Sequence, residues 1–200
     1  MVKLIKYREQ VFTTKFSRIL YCVPIAQSDL HHNLFQEMQN HFPEIELIFD
    51  LPKISDVTSD SLPKLILLDD LMVKMFSDKA MEEMFTMHSH HHGVSIIFTS
   101  QNYFNSSKSK TIIRQCTYKV IFNQPTDSIL LRNIGGQIKP NNPGFLLKIF
   151  EKLDSYFPDD NYKYILIDGN PSSALKNMNV RTHIFPNSDG VITPLTFFTE

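Results

Sequence analysis

The sharpest change from apolar to polar along the chain falls at Lys64-Leu65-Ile66-Leu67-Leu68-Asp69-Asp70-Leu71-Met72, where four consecutive apolar residues end in two carboxylates. The run is too short to span a membrane and reads as a fully buried parallel strand that delivers its acids to the edge of a sheet. In α/β proteins ligands sit beyond the carboxyl ends of the strands, so Asp69 and Asp70 fall where a metal and a phosphate could meet them. Loop acids that merely follow a core strand produce the same pattern.

Other segments sort by their period around this strand. Val2, Leu4, Ile5, Tyr7, Val11 and Phe12 recur at helical spacing with no cap residue or turn ahead of them, so the chain reads as starting inside a helix. Arg18 to Val23 is a strand stopped by Pro24, and Ser28 and Asp29 can cap a helix with Leu30, Leu34, Met38 and Phe42 along one face. After the short apolar stretch from Ile45 to Phe49, Asp50-Leu51-Pro52 opens a polar segment to Ser61, a loop or a short helical excursion. Asp78 can cap a helix carrying Met81, Met84, Phe85 and His88, which Gly93 ends. Val94 to Gln101 is strand-like, rich in β-branched and aromatic residues, and closes in a polar cluster from Thr99 to Asn102. A Ser/Lys-rich turn leads to a short helix at Thr111 to Gln115, then a strand at Tyr118 to Phe122, a helix at Asp127 to Ile134 and a break at Gly135-Gly136. Pro143 opens a helix running through Leu153, and Tyr164 to Ile167 is the last good strand. Pro186, Asn187 and Pro194 make the tail irregular. Strands separated by helices throughout predict one α/β domain with a parallel sheet covered on both faces.

Composition narrows the function classes. Two hundred residues suffice to bury a proper core, and a formal charge of −1 argues against an acidic tail, disorder or a strongly basic nucleic-acid surface. A DNA partner would need local patches. Cys22 and Cys116, far apart and in apolar surroundings, read as reduced core thiols of an intracellular protein. No apolar run reaches the roughly 18 residues of a membrane span. Met1 to Phe16 carries Lys3, Lys6, Arg8, Glu9 and Lys15 without an apolar segment, so it is no secretory signal. An intracellular place, cytoplasm or nucleus, follows.

Two metal readings present themselves. His88, His90, His91 and His92 invite zinc, since His88 and His92 sit four apart on a helix, but no Cys or carboxylate stands at a spacing that completes a site. The plainer account is a helix end whose carbonyls favour partial positive charge. Asp50, Asp69 and Asp168 each follow a strand and could form a two-metal nuclease centre. Met72, Met75, Met81, Met84 and Met87 read as core and helix-face packing.

Several spaced motifs, taken together and in order, carry a resemblance. They are Arg18-Ile-Leu-Tyr-Cys22, Leu67-Leu-Asp-Asp-Leu-Met72, Ser89-His-His-His-Gly-Val-Ser-Ile-Ile97, Thr99-Ser-Gln-Asn-Tyr-Phe104, Ile113-Arg114, Phe122-Asn-Gln-Pro-Thr-Asp127 and Arg181-Thr-His-Ile-Phe-Pro186. Over nearly its whole length the chain resembles the FtsK/HerA-type DNA-packaging ATPases of double-stranded DNA viruses and of virus-derived mobile elements, to which the poxvirus packaging ATPase is related. That family opens with a strand and a phosphate loop, Gly-x-x-x-x-Gly-Lys-[Ser/Thr], whose amides and lysine hold the nucleotide. Here the six glycines stand at 93, 135, 136, 144, 169 and 190, and none precedes Lys-Ser or Lys-Thr. Lys3-Leu-Ile-Lys-Tyr-Arg-Glu9 resembles the helix that follows the loop.

The resemblance therefore implies a three-layer parallel sheet of the P-loop NTPase type (ASCE, RecA/FtsK-like) lacking its first strand and phosphate loop, over 1–186, with 187–200 an irregular tail. It assigns Mg²⁺ to Asp69 through water, the attacking water to Asp70, γ-phosphate sensing to Gln101, and an arginine finger to Arg114 or Arg132. Mg²⁺ and ATP are the cofactors of the complete family, with binding by this chain doubtful. The implied partners are double-stranded DNA, identical subunits in a ring and, for a viral protein, the capsid. A truncated or degenerate packaging ATPase domain, inactive alone, is the function expected. A non-catalytic binding or assembly module derived from one is the alternative. The missing loop strand belongs between Val94–Thr99 and Tyr118–Phe122 in such folds, so two apolar edges are expected to lie unpaired.

Overall fold

The computed structural model describes residues 1–25, 28–101, 107–124, 126–170, 172 and 180–198, with the side chains of 28–31, 90, 107 and 108 excepted. The expected Ser28/Asp29 cap, Leu30, Asn102 to Phe104 and Ser106 lie outside what is described, whereas the rest of the expected Ser/Lys-rich turn is helical, within a helix that starts at Ser107 and not at Thr111. Met1–Gln115 and Cys116–Glu200 form two compact units.

In the first unit β1 (Arg18–Cys22), β2 (Ile45–Ile48), β3 (Lys64–Leu68) and β4 (Val94–Phe98) make a parallel sheet in the order β2-β1-β3-β4. The helices are α1 (Val2–Lys6), α2 (Arg8–Val11), α3 (Ser28–His41), α4 (Ile54–Thr58), α5 (Met72–Ser77), α6 (Lys79–Glu83), α7 (Ser89–His91) and α8 (Ser107–Gln115). All five residues of β3 are buried, as a strand covered on both faces requires. One face packs Leu20, Cys22, Ile66 and Leu68 against Met75, Phe76, Met81, Met84, Phe85 and Ile112. The other packs Ile19, Tyr21, Val23, Leu65 and Leu67 against Ile5, Met38 and Phe42. Alternation along β1 and β3 thus assigns odd-numbered residues to the α1/α3 side, which later places Tyr21 beside Asp69.

The connection from β3 to β4 is more broken than its periodicity suggests. Asp78 caps α6 through its carboxylate, which accepts from the Ala80 and Met81 amides at 2.7 and 3.4 Å. A π-helical turn, Met84–His88, then joins α6 to α7. Gly93, at φ +64°, supplies the left-handed residue that ends the segment and hands the chain to β4. Met75, Met81 and Met84 are core residues, whereas Met87 is exposed.

The second unit departs from the parallel expectation. β5 (Tyr118–Phe122), β6 (Tyr164–Asp168), β7 (Val180–Thr182) and β8 (Leu195–Phe197) form an antiparallel sheet in sequence order. Between β5 and β6 lie two helices, α9 (Ser128–Ile138) and α10 (Phe145–Tyr156), packed on each other. One crossover helix returns the chain to the end where the next strand must run parallel; a helical hairpin traverses the unit twice and delivers it at the opposite end. α9 also runs through Gly135-Gly136, where a break is expected, and the nominally irregular tail supplies β8.

β4 and β5 are each the end strand of their sheet, with one neighbour apiece among the described residues. On β5, Tyr118, Val120 and Phe122 are 54%, 49% and 54% exposed, so an alternating apolar face meets solvent. No helix among the described residues is long and apolar enough to cross a membrane.

Candidate active site

Parallel pairing brings the carboxyl ends of four strands to one edge of the first unit. Asp50 follows β2, Val23 follows β1, Asp69 and Asp70 follow β3, and Thr99 to Gln101 follow β4. The ladder runs one residue past β3 on both sides. The Asp69 amide donates to the Cys22 carbonyl at 2.9 Å, and the Thr99 amide donates to the Leu68 carbonyl at 3.0 Å. These bonds fix the Asp69 backbone as if it were still strand, and its side chain leaves on the face shared by Tyr21, Leu65 and Leu67.

Two hydroxyls meet that carboxylate. The Tyr21 phenol donates to Asp69 Oδ2 and the Thr99 hydroxyl donates to Asp69 Oδ1, each at 3.0 Å. The Thr99 oxygen in turn accepts the Asp70 amide at 3.1 Å. Asp70 sits at φ +56°, a left-handed conformation that costs a residue with a Cβ, and it is exposed. Tyr21 is fully buried. Burial first, then the charge and hydrogen bond of Asp69, hold its phenol well above the ordinary tyrosine range, so it stays a donor at any physiological pH. Neither Tyr21 nor Thr99 stood out as a site residue in the sequence. The available signal was a hydroxyl-bearing residue near the end of an otherwise apolar central strand, whose register with Leu67 only the sheet reveals.

The remaining candidates divide. Gln101 is exposed two residues beyond Thr99 at the same sheet edge, and Arg114 is exposed in the last turn of α8. Arg132 is exposed on α9, in the second unit. Asp50 is engaged by Lys74 at 3.0 and 3.1 Å and by the Leu51 amide at 2.7 Å; the amide first, then Lys74, lower its pKa. Asp168, buried in the second unit, accepts from Arg181 Nη2 and from the Asn170 amide. Those partners give Asp50 and Asp168 local structural roles, and among the described residues no three His, Cys, Asp or Glu side chains form a group able to hold a metal. His88 and His92 face each other with ring centroids 5.5 Å apart, while the His90 side chain is outside the description.

Both thiols are held protonated. Burial first, then the charges of Asp56 and Asp50, push Cys22 up to about 12, and burial raises Cys116. Cys22 lacks the electropositive setting of a nucleophilic cysteine, and at Cys116 burial outweighs the charge of Lys119.

The donor set at Asp69 suits a hard divalent cation. Mg²⁺ keeps several waters and takes one or two protein carboxylates, and Asp69 is half-buried with one lone-pair site used on each oxygen while Asp70 stands exposed next to it. A softer ion would ask for nitrogen or sulfur ligands that this edge lacks among the described residues. Compared with known proteins, the chain matches no family model, no curated protein and no solved structure.

Proposed function

We propose that this chain carries the metal-and-water half of a DNA-translocating ATPase of the FtsK/HerA packaging type, and that these 200 residues do not hydrolyse ATP by themselves. The observation that carries the reading is the pair of consecutive carboxylates at the open end of a buried central strand. The first is oriented by hydroxyls from both neighbouring strands, and the second is turned outward by a left-handed backbone. In this reading Asp69 accepts hydrogen bonds from water bound to Mg²⁺. Asp70 orients and polarises the attacking water, and Gln101 senses the γ-phosphate from the adjacent strand end. Arg114 or Arg132 supplies positive charge to a neighbouring subunit's site. The cation, when bound with nucleotide, neutralises charge on the transferring phosphoryl group. Further support is that β4 ends its sheet among the described residues, where the resemblance expects a loop-bearing strand beyond it.

Double-stranded DNA, a ring of identical subunits and, for a viral protein, a capsid are the partners this function implies, in an intracellular setting. The absence of Gly-x-x-x-x-Gly-Lys-[Ser/Thr] from the sequence favours a second reading, a non-catalytic assembly module that keeps the subunit surface without turnover.

Two measurements separate them. Calorimetric titration of the chain with ATP, in buffer already saturated with Mg²⁺, should give little or no heat of nucleotide binding. Joining the chain behind a strand and phosphate loop, ideally one encoded directly ahead of the Met1 codon, should then confer ATP hydrolysis that Asp70→Asn abolishes. A joined protein that binds ATP but never hydrolyses it with DNA present would favour the assembly module. Hydrolysis indifferent to both Asp69→Ala and Asp70→Asn would sink the catalytic assignment.

A further inference from the structure

We infer that Tyr21 is a positioning residue: with Thr99 it sets the Asp69 carboxylate in the orientation that receives a hydrated divalent cation. The inference rests on the reading of Asp69 as the cation-side carboxylate and adds the groups that hold it ready. An ionised carboxylate offers about four lone-pair sites. Here one site on each oxygen is occupied, Oδ2 by the Tyr21 phenol and Oδ1 by the Thr99 hydroxyl. With both oxygens engaged, from β1 on one side and from the end of β4 on the other, the group cannot turn about its last bond. Asp69 is only half-buried, so lone pairs beyond those two remain for cation-bound waters to donate to.

Tyr21 is placed for this by the sheet and not by local sequence. Parallel register pairs it with Leu67, two residues before Asp69 and on the same face, so a rigid ring rising from the core brings its oxygen to the carboxylate. Its neighbours on that face, Ile19 and Val23, are plain apolar residues. A phenylalanine would fill the same space without requiring any partner, so the phenol oxygen is the one atom there that packing does not explain. Thr99 does two things at once. Its proton goes to Asp69, and its lone pair takes the Asp70 amide, which ties the outward turn of Asp70 to the same hydroxyl. Outer groups of this kind govern ion affinity through the ligand they orient.

The test uses the 200-residue chain and Mn²⁺ alone as the probe, with the free ion counted by electron paramagnetic resonance at low salt. Asp69→Asn should lose saturable Mn²⁺ binding. Tyr21→Phe and Thr99→Val should each weaken it by about tenfold or more, while Thr99→Ser, which keeps the hydroxyl, should stay within about twofold. Thermal unfolding of the same variants without metal separates orientation from mere support. A Tyr21→Phe protein that melts lower yet binds Mn²⁺ like wild type overturns the positioning role, and if Asp69→Asn still abolishes binding the Asp69 assignment survives. Wild-type protein without saturable binding, or binding indifferent to Asp69→Asn, overturns both. If Tyr21→Phe does not fold, wild-type chain labelled at tyrosine Cζ with ¹³C decides the matter. The resonance that Asp69→Asn displaces must also move on addition of Mg²⁺, and a resonance that stays put overturns the inference.

Discussion

Replacing each of two adjacent helical glycines by alanine should change stability in opposite directions. Gly135 and Gly136 both lie inside α9, where alanine is intrinsically better than glycine by about 1 kcal/mol. At Gly136 a new Cβ meets the Pro143 side chain at 3.6 Å, an ordinary contact, so Gly136→Ala should stabilise the second unit by roughly 0.5–1 kcal/mol. At Gly135 the same atom would lie 2.2 Å from the Pro143 carbonyl oxygen and 3.1 Å from its carbon. Contacts under 3.0 Å essentially never occur, so about 0.8 Å (3.0 minus 2.2) must be found by moving main chain at the entrance to α10. A backbone carbonyl cannot rotate aside as a side chain can. The next residues, Phe145 and Leu146, are buried and resist the shift. Overpacking of this kind costs about 1–3 kcal/mol, and rigid surroundings put the cost near the top of that range. After the propensity gain, Gly135→Ala should be destabilised by about 2 kcal/mol, roughly 3 kcal/mol below its neighbour variant. Urea unfolding followed by circular dichroism gives both values directly. Equal stability of the two variants, or a Gly135→Ala protein more stable than wild type, would refute the close approach of α9 to Pro143.

Other consequences of the structure can be checked in the same way. Because the folded Cys22 thiol is raised to about 12 from 9.0, its contribution is fully present below pH 9 and is lost as pH rises toward 12, so Cys22→Ala should flatten the fall in urea midpoint that wild type shows on going from pH 9 to pH 10. Asp70→Gly should match or exceed wild-type stability by up to about 1 kcal/mol because glycine accepts φ +56° freely, whereas Asp70→Val should lose about 1–2 kcal/mol; equal melting temperatures would argue against the left-handed turn. On β5, Val120→Thr should leave the unfolding free energy within about 0.5 kcal/mol while lowering light scattering at high concentration, and a loss beyond that would mean the face is covered.

Much of this molecule could be read from the order of its residues. The apolar run at Leu65–Leu68 could only be a doubly covered strand, because four buried residues in a row leave no side for solvent, and its two acids had to emerge at the sheet's carboxyl edge. Asp78 and Gly93 marked their helix boundaries because capping and a left-handed residue are local requirements, settled within a few bonds. Tertiary structure decided what depends on partners distant in sequence. Tyr21 and Asp69, 48 residues apart, meet only because β1 and β3 pair in one register, and neither residue type advertises the other. The antiparallel second sheet depends on α9 and α10 forming a hairpin, and glycine at 135 is required by the Pro143 carbonyl and not by any turn in the helix itself. Local chemistry fixed the elements and the candidate carboxylates; the register and path of the chain fixed which hydroxyls hold them, since hydrogen bonds over 3 Å can be set only by a backbone already in place.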